Sequence, residues 1–282
     1  MELVWSGRKM SFSRNLFPII DLHAHLRNNI PKHTRIAKES GIDLVVYMAN
    51  CQPSLDSLAK IKKSSKEKRY VKAFPVSAMT KNLEGKKLVD IKRIKNYVVG
   101  FSDDGKCLKN LKLLTEILSQ DVLVLAHLEP EVEMLKKYLK VLARVGGKLH
   151  FQHISKKESV RILRRAKNKG LKFTAETCPH YFIYSQDLED HKVNPPLGSQ
   201  EDILEIKEGL KDGTIDCIVS DYAPLPRKTG FAGFRNFISQ SYGLVLDGTL
   251  TKNQLKEKIY TNPLRIIKKS AGKKLRTFLK GL

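Results

Sequence analysis

Short apolar runs alternate with longer Lys-, Glu- and Leu-rich stretches along almost the whole chain. A brief apolar or β-branched run bounded by polar turns reads as a buried strand, and the stretches between such runs carry helical spacing. Eight strands are expected: Phe17–Asp21, Leu44–Met48, Val71–Ser77, Tyr97–Phe101, Val122–Ala126, Lys148–Gln152, Lys172–Glu176 and Cys217–Val219. Helical segments such as Asn110–Leu118, Glu131–Val145 and Lys157–Lys169 lie between them, and Phe237–Leu246 and a Lys/Leu-rich tail follow the last. Eight β-then-α alternations predict an α/β fold, a closed (β/α)8 TIM-type barrel, over an open doubly wound sheet. No repeat, low-complexity tract or Gly/Ser linker divides the 282 residues, so one barrel domain spanning 1–282 is expected. Such a barrel carries its chemistry at the carboxyl ends of its strands, where the polar residues should therefore gather.

Composition narrows the setting. Hydrophobic residues make up 41% of the chain, but no apolar run is long enough to cross a bilayer. The stretch Met1 to Arg14 lacks the apolar segment of a signal peptide, and a cytoplasmic location is the expectation. Cys51, Cys107, Cys178 and Cys217 are scattered with no CxxC pair, which reads as free thiols and argues against a structural zinc built from them. The 52 Lys+Arg against 29 Asp+Glu give a net charge of +23, which makes nucleic acid a rival partner. The cations are spread along the chain, however, and the densest run, Ile61 to Tyr70, fits a solvated helix face and linker. The charge is read instead as a field that draws a small anionic substrate to the barrel.

The polar residues do sit where strands end. The first strand runs into Asp21-Leu-His23-Ala-His25-Leu-Arg27, and residues two apart on a strand share a face. His23 and His25 can thus aim together at one divalent, zinc-like ion; a lone HxH could equally be chance or a cap. The fourth strand ends in Asp103-Asp104-Gly105, where a carboxylate could bridge two metals or simply cap a turn. The fifth ends in His127, and the eighth in Ser220-Asp221. The sixth carries His150 and His153, three apart and so on opposite faces of an ideal strand; His153, nearer the carboxyl end, is the expected ligand, and His150 is expected to pack against a helix.

In chain order, DLHAHLR at Asp21–Arg27, MANCQP at Met48–Pro53 and SDDG at Ser102–Gly105 are followed by LHFQHIS at Leu149–Ser155 and TAETCPH at Thr174–His180. VNPPL at Val193–Leu197, DGTID at Asp212–Asp216, SDYAP at Ser220–Pro224 and Thr261-Asn262-Pro263 complete the series. Together these segments resemble the dihydroorotase branch of the amidohydrolase superfamily. The resemblance implies that His23, His25 and Asp221 hold one metal, that His127 and His153 hold a second, and that Asp104 bridges them, where other members use a carboxylated lysine. It implies zinc, as one or two ions per chain, with another divalent metal as the alternative. Arg27, Asn50 and Asn194 match substrate-binding positions. The implied reaction is reversible hydrolysis of the ring amide of dihydroorotate to N-carbamoyl-aspartate, in pyrimidine synthesis. A metal pair makes hydroxide from water near neutral pH, Asp221 accepts and returns the proton, and Arg27 can grip the substrate carboxylate with two hydrogen bonds. For Arg27 the bland alternative is a surface salt bridge.

Departures from the family pattern bear on the substrate. Where relatives read TDHAPH, this chain has Ser220-Asp-Tyr222-Ala-Pro-Leu225, and where Arg usually follows NPPL it has Gly198. The segments after Pro224 and between His127 and His153 are shorter than usual. With about 16 residues before the first strand, the terminal β-sandwich of the family is expected to be missing, which would leave barrel surface to be polar or covered by another protein. The resemblance therefore also raises a homodimer or an association with aspartate transcarbamoylase. Two rival functions stay open at this point: a dihydropyrimidinase or hydantoinase type of cyclic amidohydrolase, and a non-catalytic dihydroorotase-like partner of aspartate transcarbamoylase.

Overall fold

A computed structural model describes residues 17–187, 192–223 and 233–279. Within it, β1 (Ile20–Ala24), β2 (Leu44–Tyr47) and β3 (Lys72–Pro75) pair in parallel in that order, and so do β4 (Leu123–Ala126), β5 (Lys148–Phe151), β6 (Thr174–Thr177) and β7 (Cys217–Ile218). Residues 98–102 join the two sheets. Phe101 bridges Ser77 on one side and Val124 on the other, with Val99 N–H donating to Pro75 O at 3.0 Å and Leu125 N–H to Phe101 O at 2.9 Å. The ring shuts where Ala24 bridges Tyr222, with His25 N–H donating to Tyr222 O at 2.8 Å. The closed α/β barrel expected from the alternation is thus formed.

The fourth stave differs from expectation. Instead of a strand over Tyr97–Phe101, residues Lys95–Tyr97 form a 3-10 turn, and the segment after it is bridged on both sides without becoming a regular strand. Gly100 explains the tight fit, since a Cβ there would lie 2.7 Å from Leu123 O and 2.7 Å from Leu125 Cδ1. Only glycine lets the backbones approach this closely. The first strand also sits three residues later than expected, because its pairing with β2 begins at Ile20 opposite Leu44 and runs on to Ala24 opposite Tyr47.

Helices α1 (Ile30–Glu39), α2 (Leu58–Ser65), α3 (Ile91–Ile94), α4 (Leu111–Leu118), α5 (Glu131–Val145), α6 (Lys157–Asn168), α7 (Pro179–Ile183), α8 (Gln200–Lys211) and α9 (Phe234–Leu246) follow the staves in turn. Helix α5 buries Met134, Leu135, Tyr138, Leu139, Val141 and Leu142, the spacing of one apolar helix face. Each such side chain stabilises the packed state by roughly 1.5–3 kcal/mol. Ser199 and Asp202 form a reciprocal capping box that starts α8. No helix among the described residues is long and apolar enough to cross a membrane. Leu225, the short segment after Pro224 and the residues preceding Phe17, about which expectations were stated, lie outside the described residues.

Candidate active site

Six side chains from five staves meet at the carboxyl end of the barrel. His23 lies on β1, His25 just beyond it, Asp104 after the fourth stave, His127 directly after β4, His153 two residues past β5, and Asp221 three residues past β7. All six are buried. Asp104 sits at the centre. Its Oδ2 is 3.2 Å from His23 Nε2 and 3.1 Å from His25 Nε2, while its Oδ1 is 3.1 Å from His127 Nδ1 and 3.6 Å from His153 Nε2. Asp221 Oδ1 completes the first group, 3.0 Å from His25 Nε2 and 3.5 Å from His23 Nε2. Two donor groups able to hold a metal result, His23–His25–Asp221 and Asp104–His127–His153.

The hydrogen-bond partners on the far sides of the rings test whether these donors fit cations. His23 Nδ1 donates to Glu176 Oε1 at 2.6 Å, and His25 Nδ1 to Asn50 Oδ1 at 2.9 Å. In the neutral rings both Nε2 atoms are then lone pairs, and they face carboxylate oxygens. His127 Nδ1 and His153 Nε2 lie 2.8 Å apart, so at most one hydrogen can lie between them. Bases converging on bases, in a buried site, are the donor chemistry of a divalent cation centre. The electrostatics agree in direction. Burial works to raise the pKa of Asp104 and Asp221, but the surrounding imidazoles outweigh it and hold both well below the usual carboxylate range. Burial likewise works to lower His23, yet Asp104, Asp221 and Glu176 raise it well above an ordinary histidine.

Local backbone geometry aims the donors. Arg27, His153 and Asp221 have φ of 51°, 35° and 47°, the left-handed region that costs non-glycine residues about 1–2 kcal/mol. Such outliers gather at functional sites because the fold holds them there. The value at His153 also explains a departure from the ideal alternation. His150 and Gln152 share the inward face of β5 and its end, and the turn at His153 brings that ring inward as well. Contrary to the expectation that His150 packs against a helix, it points into the barrel: its Nε2 donates to Glu176 Oε2 at 2.8 Å and its Nδ1 lies 2.7 Å from Thr174 Oγ1. Of the Asp pair, Asp103 takes the turn role, accepting from Met79 N–H at 2.8 Å and Thr80 N–H at 3.0 Å.

A cavity of about 190 Å³ opens over this cluster, lined among others by His25, Asp104, Asp221, Arg27, Asn50 and Asn194. Arg27 Nη1 donates to Asn50 O at 3.0 Å, and its Nε is buried with no hydrogen-bond partner among the described residues. Arg27 is thus anchored at one corner rather than spent on a surface salt bridge. Asn50 is more committed than the sequence suggested, since its amide also donates to Asp104 O at 3.2 Å. Glu176 was not singled out from the sequence. The signal was there: a Glu in a β-strand whose other residues are small or apolar must be paired if it is buried. Its exposure is 0%, and His150 and His23 outweigh the effect of burial and hold its carboxyl down at about 2.

Two departures noted in the sequence have structural explanations. Tyr222 stacks on Phe234 at 3.8 Å between ring centroids, and its hydroxyl lies 2.8 Å from His33 Nδ1, so it packs the wall behind the cavity. At Gly198 a Cβ would meet Asp202 Oδ2 at 2.6 Å, inside the capping box of α8. The side chain usual there has no room here.

Comparison with known proteins follows the same direction. No family model matches the chain. A dihydroorotase of Trichlorobacter lovleyi is 33% identical over 88% of this chain and 72% of its own length, and one of Syntrophus aciditrophicus is 32% identical over the same shares. Among solved structures, the L-hydantoinase of Arthrobacter aurescens superposes with a TM-score of 0.78 at 17% identity, covering 88% of this chain and 70% of its own. The inactive dihydroorotase-like domain of a Chaetomium thermophilum CAD-like multifunctional protein superposes at 0.70 with 18% identity, over 89% and 80%. At such identities the two superpositions speak for the shared barrel alone.

Proposed function

The chain belongs to the dihydroorotase family, and from that membership we propose that it interconverts dihydroorotate and N-carbamoyl-aspartate in the cavity over Asp104. The observation that carries the reading is the division of Asp104, with one carboxylate oxygen facing His23 and His25 and the other facing His127 and His153. In this reading His23, His25 and Asp221 hold one divalent cation, His127 and His153 a second, and Asp104 lies between them. Zinc is the proposed metal, because imidazole and carboxylate donors in a rigid buried set suit it. When bound, such cations supply Lewis acidity, easing deprotonation of water and polarising the ring carbonyl.

The chain's own residues do the rest. Arg27 receives the substrate carboxylate on the guanidinium edge that Asn50 leaves free, and Asn194 faces the same cavity from the opposite loop. Asp221, held on its strained turn, accepts the proton of the attacking water. As the new C–O bond forms and the ring C–N bond breaks, the proton passes from Asp221 to the departing nitrogen. The carboxylate on the substrate is the feature that separates dihydroorotate from dihydropyrimidines. The proposal also carries a cytoplasmic setting and an association, through the outer barrel surface, with a second copy or with aspartate transcarbamoylase.

The test is a dihydroorotate assay and metal quantification on one preparation. Ring opening that disappears on chelation and returns with zinc is expected. Metal-free protein without turnover, or opening of dihydrouracil but not dihydroorotate, would overturn the reading.

A further inference from the structure

We propose that Glu176 is a positioning residue that fixes the tautomer and orientation of His23 and, through its negative charge, strengthens His23 Nε2 as a metal donor; the inference rests on the ligand set proposed above.

A buried chain of hydrogen-bonding groups runs from Thr174 to His23. Thr174 Oγ1 is 2.7 Å from His150 Nδ1, His150 Nε2 is 2.8 Å from Glu176 Oε2, and Glu176 Oε1 is 2.6 Å from His23 Nδ1. With Glu176 ionised, both facing ring nitrogens must donate to it, because a carboxylate only accepts. His150 Nδ1 is then an acceptor, and the Thr174 hydroxyl supplies its hydrogen. With the His23 ring neutral, as a metal ligand must be, this assignment satisfies every member and leaves His23 Nε2 as the lone pair on the side of Asp104 and Asp221. Gln152 Nε2, 3.2 and 3.5 Å from the two nitrogens of the His23 ring, lies against that ring and restricts its rotation.

The neighbouring histidine provides an internal contrast. His25 is oriented by Asn50 Oδ1, a neutral acceptor at 2.9 Å, whereas His23 is oriented by a charged one at 2.6 Å. A carboxylate behind a ligating imidazole raises its basicity, and losing such a partner weakens metal binding by about 10- to 100-fold. Glu176 is fully buried on β6, and its two oxygens are taken up by the two histidines. Nothing suggests that it reaches the substrate, since it does not line the cavity.

The test compares wild type with Glu176→Gln, which keeps the shape and one acceptor but removes the charge. Zinc affinity is measured by chelator competition, the thermal midpoint on metal-free protein, and turnover of dihydroorotate as zinc is raised. The expected result is zinc binding about 10- to 100-fold weaker, a metal-free midpoint lowered by loss of the buried charge between two histidines but still well above the assay temperature, and turnover that recovers as zinc approaches saturation. Wild-type zinc affinity in the variant would overturn the inference while leaving the ligand set intact. Turnover that stays lost at saturating zinc in protein that remains folded would also overturn it, by marking Glu176 as a direct participant. A wild-type protein that takes up no zinc would instead remove the ligand set itself, and this inference with it.

Discussion

Asp21 on β1 accepts a hydrogen bond from the backbone N–H of Ser220 at 3.0 Å, across the seam where the barrel closes. The Ser220 hydroxyl donates to the other Asp21 oxygen, and burial pushes the Asp21 carboxyl up to about 6. The residue before Asp221 is thereby pinned to the strand that carries His23 and His25. The proposed base and two proposed ligands are thus held in one frame, the rigidity a catalytic constellation needs.

Asp221→Asn keeps the size of the side chain and removes its ability to take a proton. General-base roles contribute roughly 10²- to 10⁴-fold, so kcat for ring opening is expected to fall by about that factor with the fold intact. Circular dichroism and metal quantification accompany the kinetics. Turnover equal to wild type would rule out the proton role.

Arg27→Ala removes the cation proposed to grip the substrate carboxylate. Hydrogen bonds to charged groups are worth about 1.5–3 kcal/mol, so kcat/KM for dihydroorotate is expected to drop roughly 10- to 100-fold. Stability should change little, since Arg27 is only partly buried and, among the described residues, its side chain makes one hydrogen bond, to Asn50 O. An unaltered KM for dihydroorotate would remove Arg27 from the substrate site.

Gly198→Ala tests the explanation for the missing arginine. The new methyl would overlap Asp202, whose carboxylate accepts from Ser199 N–H at 2.8 Å and Lys157 N–H at 2.7 Å. Overpacking of this kind costs about 1–3 kcal/mol, and chemical denaturation should show a loss in that range. Gly198→Arg should be destabilised at least as much and should not raise activity.

Burial of His33 makes stability depend on pH. Burial, with help from Lys32, lowers the pKa of His33 in the folded chain below its ordinary value of 6.5. The unfolded chain therefore binds more protons there, and the stability His33 contributes is present above about 6.5 and lost as pH falls below it. Thermal midpoints between pH 8 and pH 5 (both about) should decline more for wild type than for His33→Asn. Parallel curves would exclude His33 as a source of the pH dependence.

The alternation of apolar runs with amphipathic stretches was enough to specify the barrel, because burial of strands and of one helix face is a local periodicity. Helix α5 was read to its end residues for that reason, its apolar face and the Gly146 that ends it both being written in order. The motif residues at strand ends were legible too, since a closed barrel leaves them one direction to converge. What the sequence could not decide lies in contacts between distant segments and in backbone angles. The resemblance had already pointed to Asp104 over Asp103; only the fold supplies the reason, since both are buried and adjacent and Asp103 is taken up by Met79 N–H and Thr80 N–H. Only a φ of 35° at His153 turns that ring to the side of His150 and Gln152. And the pairing of Glu176 with His23, 153 residues away, exists because β6 and β1 flank β7 where the barrel closes, a proximity that no local pattern of polar and apolar residues encodes.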